Sequence, residues 1–401
     1  MAPAVVQMRT PAETALIERF EAEKGVLPGA AAERAAAFER FKARGLPSKR
    51  VEAYHYTDLR TLMRQAPGTA GAALPLPEAP AGVTVHSLAE ALAGGFRPGT
   101  AMGQAEDVVV DLNTALMREG MVIRVAAGTV LADPLVLDVV QNAASRHDRV
   151  IVEIGAGAEV TLVERHSGPD GTAYQSNHVV ELILGAGAKV EHVRVNAAGN
   201  EALVLSTLAA SLAEEAELMS LNFSVGGAVA RHQSFITYAG ENAKLDLRGA
   251  TMIRGRQHCD NTLVVDHAVP HGTSRELFRT VADDEAHGIF QGKIIVRPHA
   301  QKTDGQMASN ALLLGDEAAM SNKPELEIFA DDVVCAHGAT CGALEESQLF
   351  YLMARGLPRP EAEALLVEAF LGEVLEAVSD DTLRDELAGR ISTWLAARQA
   401  A

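Results

Sequence analysis

Residues 152–160 read VEIGAGAEV, and residues 182–190 read LILGAGAKV. The two phrases lie 30 positions apart, and each joins an apolar run to two glycines, an alanine, a charged residue and an aliphatic residue. The ending of the phrase recurs 28 residues later at 216–218 (AEL) and 27 residues after that at 243–245 (AKL), and GTV at 128–130 precedes the series. An internal period near 30 residues is typical of a repeat architecture.

This repeat predicts a mainly β fold built as a β-solenoid. In such a fold small residues turn the corners while alternate side chains of short strands point into a thin core. The run VEHVRV at 190–195 shows the alternation. We expect parallel strands over about 85–341, with Ala158, Ala188, Ala216 and Ala243 at nearly equivalent corner positions. An all-β sandwich with coincidental spacing is the alternative.

Helical segments are predicted on both sides of the repeat, in the units 1–84 and 342–401. Apolar residues recur near helical spacing over 10–43, and Pro11 suits the first turn. Residues 67–83 are rich in Pro, Gly and Ala and indicate a linker. Three helices follow residue 342, with Gly356 just past the end of the first and Ser379 as the cap of the third. These helices expose too many apolar faces to stand alone, so we expect them to dock on the solenoid end, on a partner, or on both.

Composition limits the partners and the compartment. Lys and Arg number 35 against 53 Asp and Glu, a net charge of −18 that disfavours nucleic acid and anionic membrane surfaces. No apolar run is long enough for a membrane span, and the first residues lack a basic segment followed by an apolar signal core. Three cysteines in 401 residues do not make a disulfide framework and suit a reducing compartment. We expect a soluble, cytoplasmic protein.

Nucleotide-binding motifs are incomplete. Gly155 and Gly157 lack the third glycine of a dinucleotide loop and precede a strand-like run, so they indicate a solenoid corner. Residues 288–294 (GIFQGKI) resemble a phosphate loop that is one residue short and has Ile294 where a hydroxyl should bind Mg²⁺. Any ATP chemistry would therefore belong to another chain.

One segment concentrates metal-binding side chains. Cys335 and His337 at positions i and i+2 of a strand would face the same side, where a thiolate and an imidazole could bind one iron or zinc ion. Two ligands are too few for a closed metal site, so a third and a fourth ligand would come from elsewhere. The alternative is that Cys335 is a small buried apolar residue and His337 a hydrogen-bonded core residue. His258 and Cys259 are adjacent and would face opposite sides of a strand.

Seven further motifs are spread along the chain. They are QKTDGQ (301–306), NALLL (310–314), PELEI (324–328), ADDV (330–333), CAHGAT (335–340), LFYLMARG (349–356) and PSKRVEAYHYTDL (47–59). Together these motifs are similar to those of the SufB/SufD family of the Suf iron–sulfur cluster assembly system. The absence of any cysteine before Cys259 favours the SufD type over the SufB type. Tyr54 and Cys341 depart from the usual family residues, and no role is transferred to Cys341.

The resemblance implies a right-handed parallel β-helix and a non-enzymatic scaffold role. It implies pairing with a SufB-like paralogue through the β-helix, and docking of a SufC-like ATPase on the C-terminal helices. His337, with Cys335 beside it, becomes the candidate cluster-assembly position, where iron or a nascent cluster would be held transiently and shared with the partner. No permanently bound cofactor is expected; whether flavin binds, and whether a homodimer forms without the paralogue, stay open. The candidate ATPase-docking residues are Leu349, Phe350, Tyr351, Arg355, Leu365, Leu366 and Phe370.

Two other functions remain as alternatives. One is a SufB-type chain that accepts sulfur on a cysteine of its own. The other is a β-helix carbohydrate enzyme, for which Asp246, Asp260 and Asp266 would have to cluster as carboxylates on one face. The low aromatic content, 4%, provides few platforms for stacking sugars.

Overall fold

The computed structural model describes residues 8–69, 74–141 and 144–399. It is mainly β, with a parallel β-solenoid of about eight turns and with helices toward both ends of the chain. Each turn adds one strand to each of two sheets, so even-numbered strands β2 to β16 stack in one sheet and odd-numbered strands β3 to β17 in the other. The strands are β1 Val83–Ser87, β2 Glu119–Val125, β3 Leu135–Val140, β4 Ser145–Ile154, β5 Glu159–Ser167, β6 Gln175–Leu184, β7 Lys189–Ala197, β8 Leu203–Leu212, β9 Glu217–Ser224, β10 Val229–Tyr238, β11 Lys244–Ile253, β12 His258–His267, β13 Thr273–Ala282, β14 His287–Val296, β15 Asp304–Leu313, β16 Ala319–Ile328 and β17 Val334–Gly342.

The four alanines occupy equivalent corners, as the period predicts. Ala158, Ala188, Ala216 and Ala243 are fully buried, and each immediately precedes a strand of the odd-numbered sheet. The carbonyls of the first three accept 2.8 Å hydrogen bonds from the backbone N–H groups of Lys189, Glu217 and Lys244 on the next turn. Alanine suits these fully buried corners because its methyl group needs little room.

The solenoid interior is divided along its length. One side is apolar and contains residues such as Val152, Leu182 and Leu218. The other side carries buried polar side chains on the inward positions of the strands, including Glu164, Arg194, Asn222 and Asn261. Several of these polar groups hydrogen-bond to one another: Arg194 donates to Asn222 on the neighbouring strand, and Asn222 donates to Asn261 across the lumen.

The N-terminal region differs from the expected single helical stretch. Helices α1 (Pro11–Glu23) and α2 (Ala31–Arg44) are separated by a break, and α3 (Leu59–Leu62) follows. Thr10 and Glu13 form a capping box that starts α1. Within the linker expected over 67–83, residues 70–73 lie outside the described part of the chain, and 67–69 and 74–82 contain neither helix nor strand.

The parallel strands begin at Glu119 and not near residue 85. Before them lie β1, which pairs antiparallel with β2, and two helices, α4 (Leu88–Ala93) and α5 (Val108–Leu116). The valine run at the start of α5 is helical because the Asp107 side chain accepts hydrogen bonds from the Val109 and Val110 N–H groups, and because the apolar residues pack against α1 and α2. The division into units 1–84, 85–341 and 342–401 stays a prediction.

The C-terminal helices are α6 (Glu346–Ala354), α7 (Arg359–Leu375) and α8 (Asp381–Gln399). Gly356 adopts φ +96° just after α6, as expected for a glycine past a helix end. The cap of α8 is Asp380, whose carboxylate accepts from the Leu383 N–H at 2.7 Å; Ser379, the expected cap, instead bonds to Glu191 of the solenoid.

Helices α7 and α8 lie along the flank of the solenoid, and not on its end. Their buried residues, such as Leu371 and Leu387, share one apolar cluster with outward-facing residues of the odd-numbered sheet, such as Val193 and Phe223. The Arg165–Glu386 ion pair (2.8 Å) adds a polar contact at this interface. Among the described residues, no helix is long and apolar enough to cross a membrane.

Candidate functional site

The last strand of the solenoid, β17, places Cys335 and His337 at an uncovered end. The residues in register with them on β15 are Gly305 and Met307, and Met307 points into the core. Cys335 packs against the same core, and the alternation of side chains along a strand turns His337 to the same side. The two side chains therefore face the lumen from its open rim, as their spacing predicts.

The rim differs from the interior because no further turn covers it. Within the described part of the chain, β17 pairs only with β15 and β16 only with β14, so both last strands present a free edge. Cys335 is half-buried and His337 is exposed, which excludes the alternative of a buried core histidine. Burial raises the pKa of the Cys335 thiol, so a metal ion or a nearby cation is needed to favour its thiolate.

Apolar side chains surround this open end. Ile328, Phe329 and Val334 are 42%, 59% and 64% exposed. They belong to the end of β16, the turn that follows it and the start of β17. Free strand edges beside exposed apolar residues make a surface that is suited to another protein. Sequence analysis missed these residues, although the apolar pair Ile328-Phe329 interrupting a polar stretch is a signal that could have identified them.

The other two cysteines, Cys259 and Cys341, are placed differently from Cys335. Cys259 is buried in the lumen, where burial raises the pKa of its thiol to about 11, and its Sγ lies 3.8 Å from Ser224 Oγ. His258 faces the opposite side of β12 and contacts the Thr57 hydroxyl at 2.9 Å. The expected separation of this adjacent pair is thus confirmed. Cys341 is exposed near the end of β17.

The C-terminal helices expose an apolar surface of their own. Phe350 and Tyr351 on α6 are 74% and 59% exposed, and the Arg355 guanidinium lies 5.2 Å from the Tyr351 ring centroid. Leu365 on α7 is also exposed, and Leu366 lines a shallow groove that Tyr351 borders.

Two of the candidate docking residues lie inside the protein. Leu349 is buried, and Phe370 is partly buried with the Arg279 guanidinium 4.7 Å from its ring centroid. They therefore support the surface, and the other five residues form it.

The three aspartates of the carbohydrate-enzyme alternative do not cluster. Asp246 lies on β11 in one sheet and pairs with Arg248 at 2.9 Å. Asp260 and Asp266 lie on β12 in the other sheet and pair with Arg231 and Arg297. Each carboxylate is neutralised by its own arginine, and a pair of carboxylates that flank a sugar is absent from this set.

The family models match most of the chain. Residues 138–370 match the model described as "SUF system FeS cluster assembly, SufBD core domain", and residues 18–80 match the "SufBD protein N-terminal region". The chain belongs to the SufB/SufD family. The core match covers both sheets, the rim pair and the start of α7, so the family assignment includes the candidate site.

Curated relatives agree with this family. The chain is 31% identical to the iron-sulfur cluster assembly protein SufD of Escherichia coli over 88% of this chain and 90% of that protein. It is 32% identical to a SufBD family protein of Synechocystis over 71% of this chain and 66% of that protein, and 27% identical to one of Mycobacterium bovis over 96% of each. SufB/SufD family members of this type are named for iron–sulfur cluster assembly, so the chain has a role in that process.

Proposed function

We propose that this chain is a SufD-type scaffold subunit of a cytoplasmic Suf complex, without an enzymatic activity of its own. The observation that carries the proposal is the uncovered solenoid end, where Cys335 and His337 face the lumen beside free strand edges. Iron or a nascent cluster is the cargo of this rim. A thiolate and an imidazole supply two ligands, so a partner that covers the rim must supply the rest.

The partner at the rim is a SufB-like paralogue. A related solenoid can meet the free edges of β16 and β17 with its own last strands, and the exposed Ile328, Phe329 and Val334 provide apolar area for that contact. By the strong handedness preference of parallel β crossovers, both solenoids would be right-handed. In the absence of the paralogue, a second copy of this chain could occupy the same surface.

A SufC-like ATPase is proposed to bind α6 and the adjacent part of α7. Phe350, Tyr351 and Leu365 form an exposed apolar patch, and aromatic residues of this kind are enriched at protein interfaces. The patch lies on α6 and α7, whereas the rim is formed by β16 and β17. The nucleotide site would belong to the ATPase, because the phosphate-loop lookalike at 288–294 is the interior strand β14 in this chain.

The SufB-type alternative, in which this chain accepts sulfur itself, is disfavoured by Cys259. Its thiol is buried, and the raised pKa keeps it protonated and a poor nucleophile at neutral pH. The half-buried Cys335 is better placed as a ligand that completes a partner's site than as the first sulfur acceptor.

The two surfaces can be tested independently by co-purification with the two partners. Val334→Lys puts a charge on the rim and should release the SufB-like chain while the ATPase is retained. Phe350→Asp should do the reverse. If both variants retain both partners at wild-type yield, the assignment of the two surfaces is wrong.

A further inference from the structure

Four ionisable side chains converge inside the solenoid, far from the rim. Glu164 and His166 lie on β5, His178 on β6 and His192 on β7, and we call these four residues the lumen cluster. The Glu164 Oε2 atom lies 3.0 Å from His166 Nε2 and 2.9 Å from His178 Nε2, and its Oε1 atom lies 2.6 Å from His192 Nε2. All three imidazoles therefore present the same ring nitrogen to one carboxylate.

The lumen cluster is shielded from solvent. Glu164 is fully buried, and none of the three histidines is more than 7% exposed. Ligand atoms of Glu164, His166 and His178 all lie within 4.8 Å of one another. Because β5 and β7 belong to one sheet and β6 to the other, a group bound here would connect the two sheets across the lumen.

A neutral His178 is not fully satisfied in this arrangement. Its Nδ1 atom has no hydrogen-bond partner and lies 4.0 Å from Asp148 Oδ2. If neutral His178 carries its proton on Nε2 and donates to Glu164, then its Nδ1 lone pair is buried facing a carboxylate. If the proton is on Nδ1 instead, a lone pair and the Glu164 oxygen face each other at 2.9 Å, and a bound metal ion would replace their repulsion by two favourable contacts.

His192 repeats the second arrangement in a better geometry. Its Nδ1 atom lies 2.9 Å from the Ser220 hydroxyl oxygen, which can accept a hydrogen bond from an Nδ1–H group. An Nδ1–H group held in this way leaves the Nε2 lone pair directed at the cluster. Hydrogen bonds of this type orient the ligating histidines of metal sites.

We propose that the lumen cluster binds one divalent first-row transition metal ion through the Nε2 atoms of His166, His178 and His192 and the carboxylate of Glu164. Imidazole and carboxylate ligands suit Zn²⁺ and Fe²⁺. A tetrahedral ion with bonds of about 2.0–2.1 Å separates its ligand atoms by about 3.3 Å. The observed oxygen–nitrogen separations of 2.6–3.0 Å would widen by a few tenths of an ångström. His192, which contacts the other carboxylate oxygen, would have to move toward His166 and His178, whose ligand atoms already lie within 4.8 Å of one another and of Glu164.

Charged side chains near the lumen cluster affect which ligands the ion would bind. Arg146 is paired with Asp148 at 3.1 Å, so that pair adds no net charge. Arg194 is in register with Glu164 on the next turn, donates to Asn222 at 2.9 Å and has two further nitrogens, Nε and Nη2, without partners. Its positive charge opposes a bare cation, so we expect a small anion, such as chloride or hydroxide, to join the four protein ligands as a fifth ligand on the side of Arg194.

Cobalt binding tests this site separately from the rim. The full-length Cys335→Ser/His337→Ala double variant lacks the rim ligands, and it is refolded without air in the presence of Co²⁺ and chloride, then desalted. We expect one retained Co²⁺ per chain, with visible d–d absorption and no thiolate charge-transfer band. Added Zn²⁺ should bleach the d–d bands by displacement. The inference does not depend on the scaffold function, because the rim is disabled throughout.

Two substitutions in that background locate the ion. Glu164→Gln keeps the size of the side chain but removes its charge, and it should abolish the retained Co²⁺. Ser220→Ala removes only the group that orients His192, and it should weaken Co²⁺ binding by about 10–100-fold. If Glu164→Gln fails to fold, Co²⁺ binding by the Ser220→Ala variant tests the proposal instead. No retained Co²⁺ in the double variant, or unchanged binding in a folded Glu164→Gln or Ser220→Ala protein, would overturn the proposal.

Discussion

Replacement of His337 by alanine separates chemistry from packing at the rim. His337 is exposed, so its truncation leaves no cavity and should change the free energy of unfolding by no more than about 0.5 kcal/mol. For a chain of this length, that corresponds to a shift in melting temperature of under about 2 °C. Partner binding should persist, because the free strand edges and the apolar residues around the rim are unchanged. Cluster formation should fall, because the ring nitrogen that would hold iron is lost.

A matched control lies one turn below. Met307 is in register with His337 and is 3% exposed, so Met307→Ala should cost about 2–5 kcal/mol through the cavity it creates. Cys335→Ser is a second control, which keeps the volume and removes the thiol; we expect a smaller loss of cluster than for His337→Ala. The assays are thermal unfolding, co-purification with both partners, and cluster yield in cells. Normal cluster yield in a folded His337→Ala protein would refute a chemical role for the rim histidine.

Three further predictions follow from buried groups. Asp260→Ala should lower the free energy of unfolding by about 3–5 kcal/mol, because it removes the ion-pair partner of the buried Arg231 guanidinium. Urea unfolding measures this loss of stability, and a loss below about 1 kcal/mol would contradict the prediction. Burial raises the pKa of Glu276 to about 8, above the unfolded value of 4.5, so stability should decline as pH rises between these values by about 1.4 kcal/mol per unit. In Glu276→Gln, the free energy of unfolding, measured with urea at pH 5 and pH 8, should decline less between the two pH values. An equal decline in the variant and in the unsubstituted protein would count against this prediction. Leu387→Ala should cost about 2–5 kcal/mol and expose α8 to trypsin, whereas an unchanged cleavage pattern would show that α8 does not depend on this contact.

The solenoid could be predicted from the sequence because its corners impose a local rule. Buried alanine recurs before four odd-numbered strands at spacings of 30, 28 and 27, which makes the period visible in the sequence. The expectation of parallel strands from about residue 85 is wrong before residue 119, where the valines at 108–110 lie in α5. There the cap at Asp107 and the packing against α1 and α2 outweigh the strand preference of valine.

The rim pair and the lumen cluster differ in how visible they are in the sequence. Cys335 and His337 are two residues apart, so the alternation of a single strand brings them together. His178 and His192 follow Glu164 by 14 and 28 residues, and only the stacking of successive turns makes them neighbours. Burial and hydrogen-bond partners, which decide between a core histidine and a ligand, depend on the whole fold and not on spacing.

The two ends of the solenoid are unlike, and this limits how copies can join. At the beginning, antiparallel β1 occupies the edge of β2, and Leu74 reaches the apolar core. At the other end, β16 and β17 are uncovered. Contact between two rims uses up both surfaces, so an assembly formed through the rims alone closes at two solenoids. An ion held at such a contact would be enclosed between them.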